Sequence, residues 1–281
     1  MISIITAIHN QLPMNKLFLH YLKKNTKNQY ELIIIDNDST DGSGEFFLEN
    51  GVKVIKNEHN YSYPFCQNQG IKVAKYDTYI FLNNDVIVSK NWDAFVIEII
   101  KKHKLDVCSV GTNEHKETDE LTRISEHRWK AIKNPLLFLF GTGKLNLKLM
   151  FKLMYWNWDK YTENIYNNNK DLILTGINGP AVIITKKGLE KIGLWDERIQ
   201  GADYDIYLRT LERLHQHNDI QEPKIIMGVY FHHYSRLSLK KAGFKKRKIV
   251  FKDYENLISV EEKWGKDYAN NLLKGSGFII R

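Results

Sequence analysis

A chain of 281 residues with 43% hydrophobic content can build a sizeable core and fits one large α/β domain, or a domain with an appendage. Its formal net charge of +8 favours acidic or phosphate-rich partners, and much of that charge is concentrated in residues 240–248. Two cysteines without metal-ligand spacing argue against a disulfide framework, no apolar run approaches a bilayer span, and the opening residues lack the basic start of a signal peptide, so an intracellular protein is expected.

Residues 2–8 predict a first strand, and residues 14–24 a helix. A second all-apolar strand at 32–35 ends in the polar run Asp36-Asn37-Asp38-Ser39-Thr40-Asp41-Gly42, followed by a short helix at 44–50 and a third strand at 52–55. Residues 63–75 predict a helix with Cys66, Gly70 and Val73 on one face. Strand, helix, strand, helix, strand at this spacing predicts a parallel three-layer sheet, and unbroken apolar strands fit a sheet covered on both faces. Further on, a helix at 92–102 and a strand at 106–110 precede an irregular stretch from 111 to 170. Regular patterning returns with strands at 172–177 and 180–184, helices at 187–192 and 204–214, and a last strand at 224–231. The tail beyond 240 carries helical patterning around 254–264.

The central strand, residues 79–82, stops at Asn83-Asn84-Asp85. A buried strand ending this way delivers oxygen ligands to the carboxyl edge of a sheet, where open α/β sheets bind ligands, unless the run is a plain polar turn between two strands. Carboxylate and amide oxygens suit Mg²⁺ or Mn²⁺, and such an ion suits a diphosphate. The carboxylates of 36–42 can accept hydrogen bonds from a nucleobase or ribose, although an ordinary Asp/Asn/Gly loop has the same composition. No Gly-x-Gly-x-x-Gly follows the first strand and no Gly-x-x-x-x-Gly-Lys-Ser/Thr occurs, which argues against a dinucleotide-binding Rossmann domain and a P-loop enzyme.

Four stretches resemble family 2 glycosyltransferases, inverting nucleotide-sugar enzymes of the GT-A fold, in the family's order. They are Ile4-Ile5-Thr6-Ala7-Ile8-His9-Asn10; Ile34-Ile35-Asp36-Asn37-Asp38-Ser39-Thr40-Asp41-Gly42; Asn68-Gln69-Gly70-Ile71 with Ile80-Phe81-Leu82-Asn83-Asn84-Asp85; and Gly193-Leu194-Trp195-Asp196-Glu197-Arg198 with Gly201-Ala202-Asp203-Tyr204-Asp205. The resemblance implies a GT-A fold, a three-layer α/β/α domain with a mostly parallel central sheet over residues 1–235. It leaves 111–170 uncovered as a mainly helical aromatic and basic insertion, and 236–281 as a basic, helical C-terminal extension.

It implies donor contacts from Ala7, His9, Asn10, Asp36, Asp38, Asn68, Gly70, Asn83 and Asn84, with Asp85 as metal ligand. Asn83 stands where the family's metal motif begins with Asp, leaving fewer charges around an ion. Asp203 matches the catalytic base, with a helix-start cap as the competing role, and the usual preceding Glu is Ala202. Asp205 and Arg209, four residues apart, can form a structural ion pair. His232 and His233 match the family's late metal-binding His, with a buried strand-end histidine held by backbone bonds as the competing role; neighbours on a strand face opposite ways, so at most one reaches the site. Asn178 and Gly179, within Gly176-Ile177-Asn178-Gly179-Pro180, would line a donor or acceptor pocket, unless they form a plain turn.

The expected donor is a nucleotide-diphosphate sugar, UDP ahead of GDP or dTDP, with Mn²⁺ or Mg²⁺. The expected acceptor is a hydroxyl of a glycan or lipid-linked saccharide. Interleaved aromatics and lysines in 128–160 suit a membrane surface, a carbohydrate-stacking acceptor site or a core-packed insertion. The location expected is cytoplasmic, with peripheral attachment to the inner membrane face open. A nucleic-acid acceptor, permitted by the basic tail, and a non-catalytic glycan-binding relative, suggested by Ala202 and Asn83, are the alternatives. A sugar nucleotidyltransferase would need a Gly-rich, Arg-containing loop after the first strand, which residues 7–11 lack.

Overall fold

The computed structural model describes residues 1–235, 237 and 250–274. Its first half alternates strictly: β1 (Ile2–Ile8), α1 (Leu12–Asn25), β2 (Tyr30–Asn37), α2 (Ser43–Glu49), β3 (Lys53–Asn57), α3 (Tyr63–Val73) and β4 (Thr78–Leu82). These strands all pair in parallel, with Ile5 opposite Ile33 and Phe81, and Ile35 opposite Ile55. Side chains alternate across the sheet. Ile4, Ile34 and Ile80 therefore pack on one face with Phe18 and Leu22 of α1. Ile5, Ile33, Ile35 and Phe81 pack on the other with Cys66 of α3. Both faces are apolar because both are covered.

After the short β5 (Val86–Ile87) come α4 (Trp92–His103) and β6 (Val107–Thr112). The insertion is three helices: α5 (Asp119–Phe140), α6 (Lys144–Met154) and α7 (Trp158–Asn169). Then follow β7 (Ile173–Thr175), β8 (Ala181–Thr185), α8 (Lys186–Ile192), α9 (Ala202–His217) and β9 (Lys224–His233). The strand order is β3-β2-β1-β4-β8-β6-β9-β5, with β7 also on β9. The second half of the sheet is mixed: β8 lies antiparallel between β4 and β6, while β6 and β9 are parallel. Ten-residue β9 spends its length on different partners, β7 at its start and β5 at its end.

The insertion's helices hide from a periodicity reading because their apolar residues occupy two sides. In α6, Leu147, Met150, Phe151 and Met154 are buried, whereas Leu145, Leu149 and Leu153 are exposed. The buried set joins Trp129, Tyr155 and Trp158 against Tyr230 and Tyr234 in a third apolar cluster. Local signals do mark the helix starts: the Thr118 hydroxyl accepts from Leu121 N–H, and the Asn157 side chain accepts from Lys160 N–H.

In the extension, a 3₁₀ turn (Tyr254–Asn256), α10 (Val260–Trp264) and α11 (Lys266–Leu273) lie back on the domain. Ile258 bridges Ile199, and Leu272 is buried against the α9 side of the core. The cationic residues 240–248 lie outside the described residues.

Candidate active site

The loops after β1 and β2 form one polar end. Backbone at Asn10, Gln11 and Asp38 is left-handed, so the chain turns sharply there. The Asn10 N–H donates to the Ser39 hydroxyl, and its side-chain oxygen accepts from Thr40 N–H, which knits the two loops together. His9 Nδ1 donates to Asn37 O at 2.7 Å and Nε2 accepts from the Asn10 amide at 3.2 Å. His9 and exposed Asp38 open onto a cavity of about 460 Å³. His59, Asn60 and, from the extension, Val250, Phe251 and Lys252 complete its walls. That wall is fixed by Lys252 N–H to Asn60 O, by the Asn60 amide to Val250 O, and by Ser62 N–H to the Asp253 carboxylate.

Several expected donor contacts are engaged elsewhere. Asp36 is fully buried; its Oδ1 accepts from Ser39 N–H and its Oδ2 presses where a Gly44 Cβ would stand, 2.1 Å away. Burial raises its pKa against those Ser39 bonds. Its Oδ1 anchors the turn, Oδ2 has no hydrogen-bond partner among the described residues, and the Asp38 carboxylate faces the cavity. Asn68 is buried, donating to Trp195 O and to Glu197 Oε1 while accepting from Trp195 N–H, so it fastens the loop before α9. At Gly70 a Cβ would stand 2.3 Å from Ile5 Cγ2; its role is the close approach of α3 to β1. Ala7 packs at the rim of the same core.

At the end of β4, the Asn83 N–H donates to Pro180 O at 3.0 Å, and the Asn84 amide donates to Asn15 Oδ1. Asp85 turns toward β9: its carbonyl accepts from Tyr234 N–H, and its Oδ1 lies 3.2 Å from His233 Nε2. His233 Nδ1 meets Glu114 Oε2 at 2.5 Å. Asn113 clamps the His233 backbone, its Oδ1 accepting from the N–H and its Nδ2 donating to the carbonyl. Burial works against charge on His233, but the facing Asp85 and Glu114 carboxylates outweigh it and push the pKa up to about 10. Glu114 in turn, also against burial, is drawn down to about 2 by its hydrogen bond to His233.

His232 does not share this place. Strand alternation sends it to the opposite side, fully buried among Trp129, Phe151, Tyr155 and Tyr234, with Nδ1 3.1 Å from the Tyr155 hydroxyl. Burial and the neighbouring His233 drive its pKa well below the ordinary value. The expectation of a metal ligand is therefore corrected for His232 and narrows to His233.

The donor set fits a divalent ion that takes the place of the proton His233 Nε2 otherwise shares with Asp85. A carboxylate oxygen and an imidazole nitrogen face each other, and a second carboxylate fixes the imidazole's far nitrogen, the usual support for a metal-bound histidine. Among the described residues no three His, Cys, Asp or Glu side chains are arranged to hold one ion together, since Glu114 meets the far nitrogen of His233, so an ion here would complete its shell from ligand oxygens or water.

The third part is the loop before β8. Asn178 is buried, its amide donating to Val110 O and the Thr112 hydroxyl, so it ties this loop to β6. Gly179 instead makes room for a carboxylate, because a Cβ there would stand 2.5 Å from Asp203 Oδ2. Asp203 occupies the first turn of α9, and burial raises its pKa, partly opposed by nearby backbone N–H groups. Because Pro180 holds Asn83, the loop that positions the Asp203 carboxylate is hydrogen-bonded to the loop that carries Asp85. Asp205 is structural: its two oxygens take Lys263, Trp264 Nε1 and Arg209 Nε at 2.6, 2.8 and 2.9 Å.

Glu114, His59 and residues 250–252 escaped the sequence reading. Glu114 had a signal, since Thr112-Asn113-Glu114 ends a buried strand much as Asn83-Asn84-Asp85 does. The wall from residues 250–252 had none, because it is separated from Asn60 by 190 residues.

A parallel βαβ half, an antiparallel β8 beside the central strand, and acidic groups gathered at the strand ends define the GT-A class of sugar-transferase folds. The family model "Glycosyl transferase family 2" matches residues 3–185. The chain belongs to glycosyl transferase family 2. Glycosyltransferase GlyG of Streptococcus pneumoniae is 27% identical over 124 residues, 42% of this chain and 41% of that protein. Among solved structures, S. aureus TarS 1-349 superposes with a TM-score of 0.51 at 14% identity, covering 84% of this chain and 60% of that one. GalNAc-T7 with UDP, GalNAc and Mn²⁺ superposes at 0.56 with 16% identity, covering 97% and 49%. The chain thus spans about half the length of these relatives, and the structural likeness is one of fold.

Proposed function

We propose that this chain is an inverting, metal-assisted glycosyltransferase that moves a sugar from a nucleotide-diphosphate sugar to a hydroxyl of a glycan or lipid-linked saccharide. The observation that carries the reading is the convergence of two loops: the Asn83–Pro180 hydrogen bond joins the Asp85 loop to the Gly179 loop against which Asp203 rests. The nucleoside lies in the cavity lined by His9, Asp38 and residues 250–252, with UDP the first donor to test. In this reading residues 1–235 are the transferase domain, and the extension supplies one wall of the donor pocket.

Asp85 and His233 would hold the divalent ion, with Glu114 orienting the imidazole. A divalent ion there supplies positive charge to the leaving diphosphate. Asp203 takes the proton of the acceptor hydroxyl as that oxygen attacks the anomeric carbon. The bond from that carbon to the diphosphate oxygen breaks, its electron pair leaves with the nucleoside diphosphate, and attack from the opposite face inverts the configuration. Burial suits Asp203 to this role because it increases the carboxylate's hold on a proton. Support for the donor class comes from the family match and from GalNAc-T7, which holds UDP, GalNAc and Mn²⁺.

The test is thermal unfolding with UDP-, GDP-, dTDP- and CMP-sugars, each with Mn²⁺ or EDTA. A ligand at about 100 times its Kd stabilises by about 2.7 kcal/mol, a clear melting shift. A shift with one nucleotide, abolished by EDTA and by Asp85→Ala, is the expected result. No shift with any nucleotide would overturn the donor site.

A further inference from the structure

We propose that the α5–α6 hairpin is a docking surface for an anionic lipid bilayer. From residue 128 to residue 158 the chain has no Asp or Glu, yet it carries Arg128, Lys130, Lys133, Lys144, Lys148 and Lys152. Five of these six cations are on the surface; Lys133 is buried and donates to Tyr234 O and Ser235 O.

The same hairpin exposes a continuous apolar stripe. Leu145, Leu149, Leu153 and Trp156 are spaced by four, four and three residues, so they share a face along α6 and its end. They are 83%, 44%, 51% and 86% exposed, while the opposite face of α6 is buried in the third apolar cluster. The end of α5 adds Phe138, Leu139 and Phe140, also exposed. Between the two helix ends an apolar surface hollow of about 450 Å³ is lined by Phe140, Lys144, Leu145 and Leu149. Lys144, Lys148 and Lys152 alternate with the exposed leucines, and Lys152 Nζ sits 5.3 Å over the Trp156 ring.

Leucines and rings interleaved with lysines on one helix face are the pattern of an interfacial helix, whose apolar side enters the headgroup region while cations meet anionic lipid. A protein partner fits less well, since lysine is depleted from the centres of protein interfaces. Among the described residues no helix is long and apolar enough to cross a membrane, so the contact is a surface one. Trp129 Nε1 and Lys133 Nζ are bonded to the chain just after His233, so the docking face is joined to the strand that carries the metal-site histidine. Docking does not depend on the transfer reaction.

The experiment is co-sedimentation of the full chain with phosphatidylcholine vesicles, with and without phosphatidylglycerol. Binding to the phosphatidylglycerol vesicles, weakened by salt and absent with phosphatidylcholine alone, is expected. Leu145→Asp/Leu149→Asp and Lys148→Glu/Lys152→Glu alter exposed positions only, and each should weaken partitioning about tenfold or more, with unchanged circular dichroism and melting. No vesicle binding, or binding unaffected by both double variants, overturns the proposal. Vesicle-free self-association abolished by Leu145→Asp/Leu149→Asp, without lipid binding, would assign the face to a second copy and equally overturn it.

Discussion

Replacing Gly179 with Ala tests whether Asp203 is the base, because it disturbs one carboxylate and little else. The new Cβ would stand 2.5 Å from Asp203 Oδ2 and 3.1 Å from its Cγ. An ordinary van der Waals contact lies at 3.4–4 Å, so the carboxylate must swing away by about 0.9 to 1.5 Å. The obstructing atom ends a side chain rather than belonging to a backbone, so the fold yields by a rotation and the melting temperature changes little. Chemistry is less tolerant: a misplacement near 1 Å costs on the order of 100-fold, so kcat should fall about 10- to 100-fold, or about 1.4 to 2.7 kcal/mol. Donor KM should stay near wild type, because the cavity proposed for the nucleoside is lined by other loops. In a double-mutant cycle, Gly179→Ala should add almost nothing to Asp203→Asn, since both act through the same carboxylate. Steady-state kinetics on the four proteins decides the matter. Wild-type kcat in Gly179→Ala, or full additivity with Asp203→Asn, would refute the reasoning.

The two histidines separate cleanly. His233→Ala should raise the Mn²⁺ concentration for half-maximal activity by well over tenfold, and Glu114→Gln by about 10- to 100-fold, as expected for the partner that orients a ligand. His232→Phe should leave that titration unchanged, and a matching shift in it would return His232 to the metal. Gly70→Ala forces a Cβ to within 2.3 Å of buried Ile5 and should cost about 1–3 kcal/mol in denaturant unfolding. Donor KM of the folded fraction should not move, and a large KM change with intact stability would restore Gly70 to the donor site. Asp196 is held well below the usual carboxylate range by its hydrogen bond to Arg198, then by Lys263, against partial burial. A depressed folded pKa contributes stability that is present above the unfolded value of 3.8 and lost as pH falls through the folded value. Acid unfolding of Asp196→Asn should therefore be less steep below about pH 4 than wild type, and coincident curves would exclude Asp196 from holding α10.

How far the site could be read from the amino-acid order alone depended on distance along the chain. Asn83-Asn84-Asp85 was legible because an apolar strand that stops at three polar residues marks either a ligand-binding edge or a turn, and the structure places Asp85 against His233. For the neighbouring histidines, strand alternation allowed only one to face Asp85, but which one depends on the register of β5 with β9, a pairing of residues 147 apart in which Val86 lies opposite His233. Asp36 and Asn68 matched motif positions, Asn178 lay in a glycine-containing turn, and all three turned out to be buried. Their residue types suit either a ligand or an unpaired backbone group, and only the packing decides between them.

By itself the sequence determined the alternation of apolar strands and amphipathic helices, the sharp polar strand ends, and the cation-rich, acid-free run of 128–158. Each is a local property, written in the spacing of side chains along one segment. Tertiary structure alone decided that β8 enters the sheet antiparallel beside β4, that Gly179 rests on Asp203, and that residues 250–252 wall a cavity begun by His9 and Asp38. These contacts join segments tens to hundreds of residues apart, and they exist because burying both faces of the sheet fixes which loops emerge at the same edge.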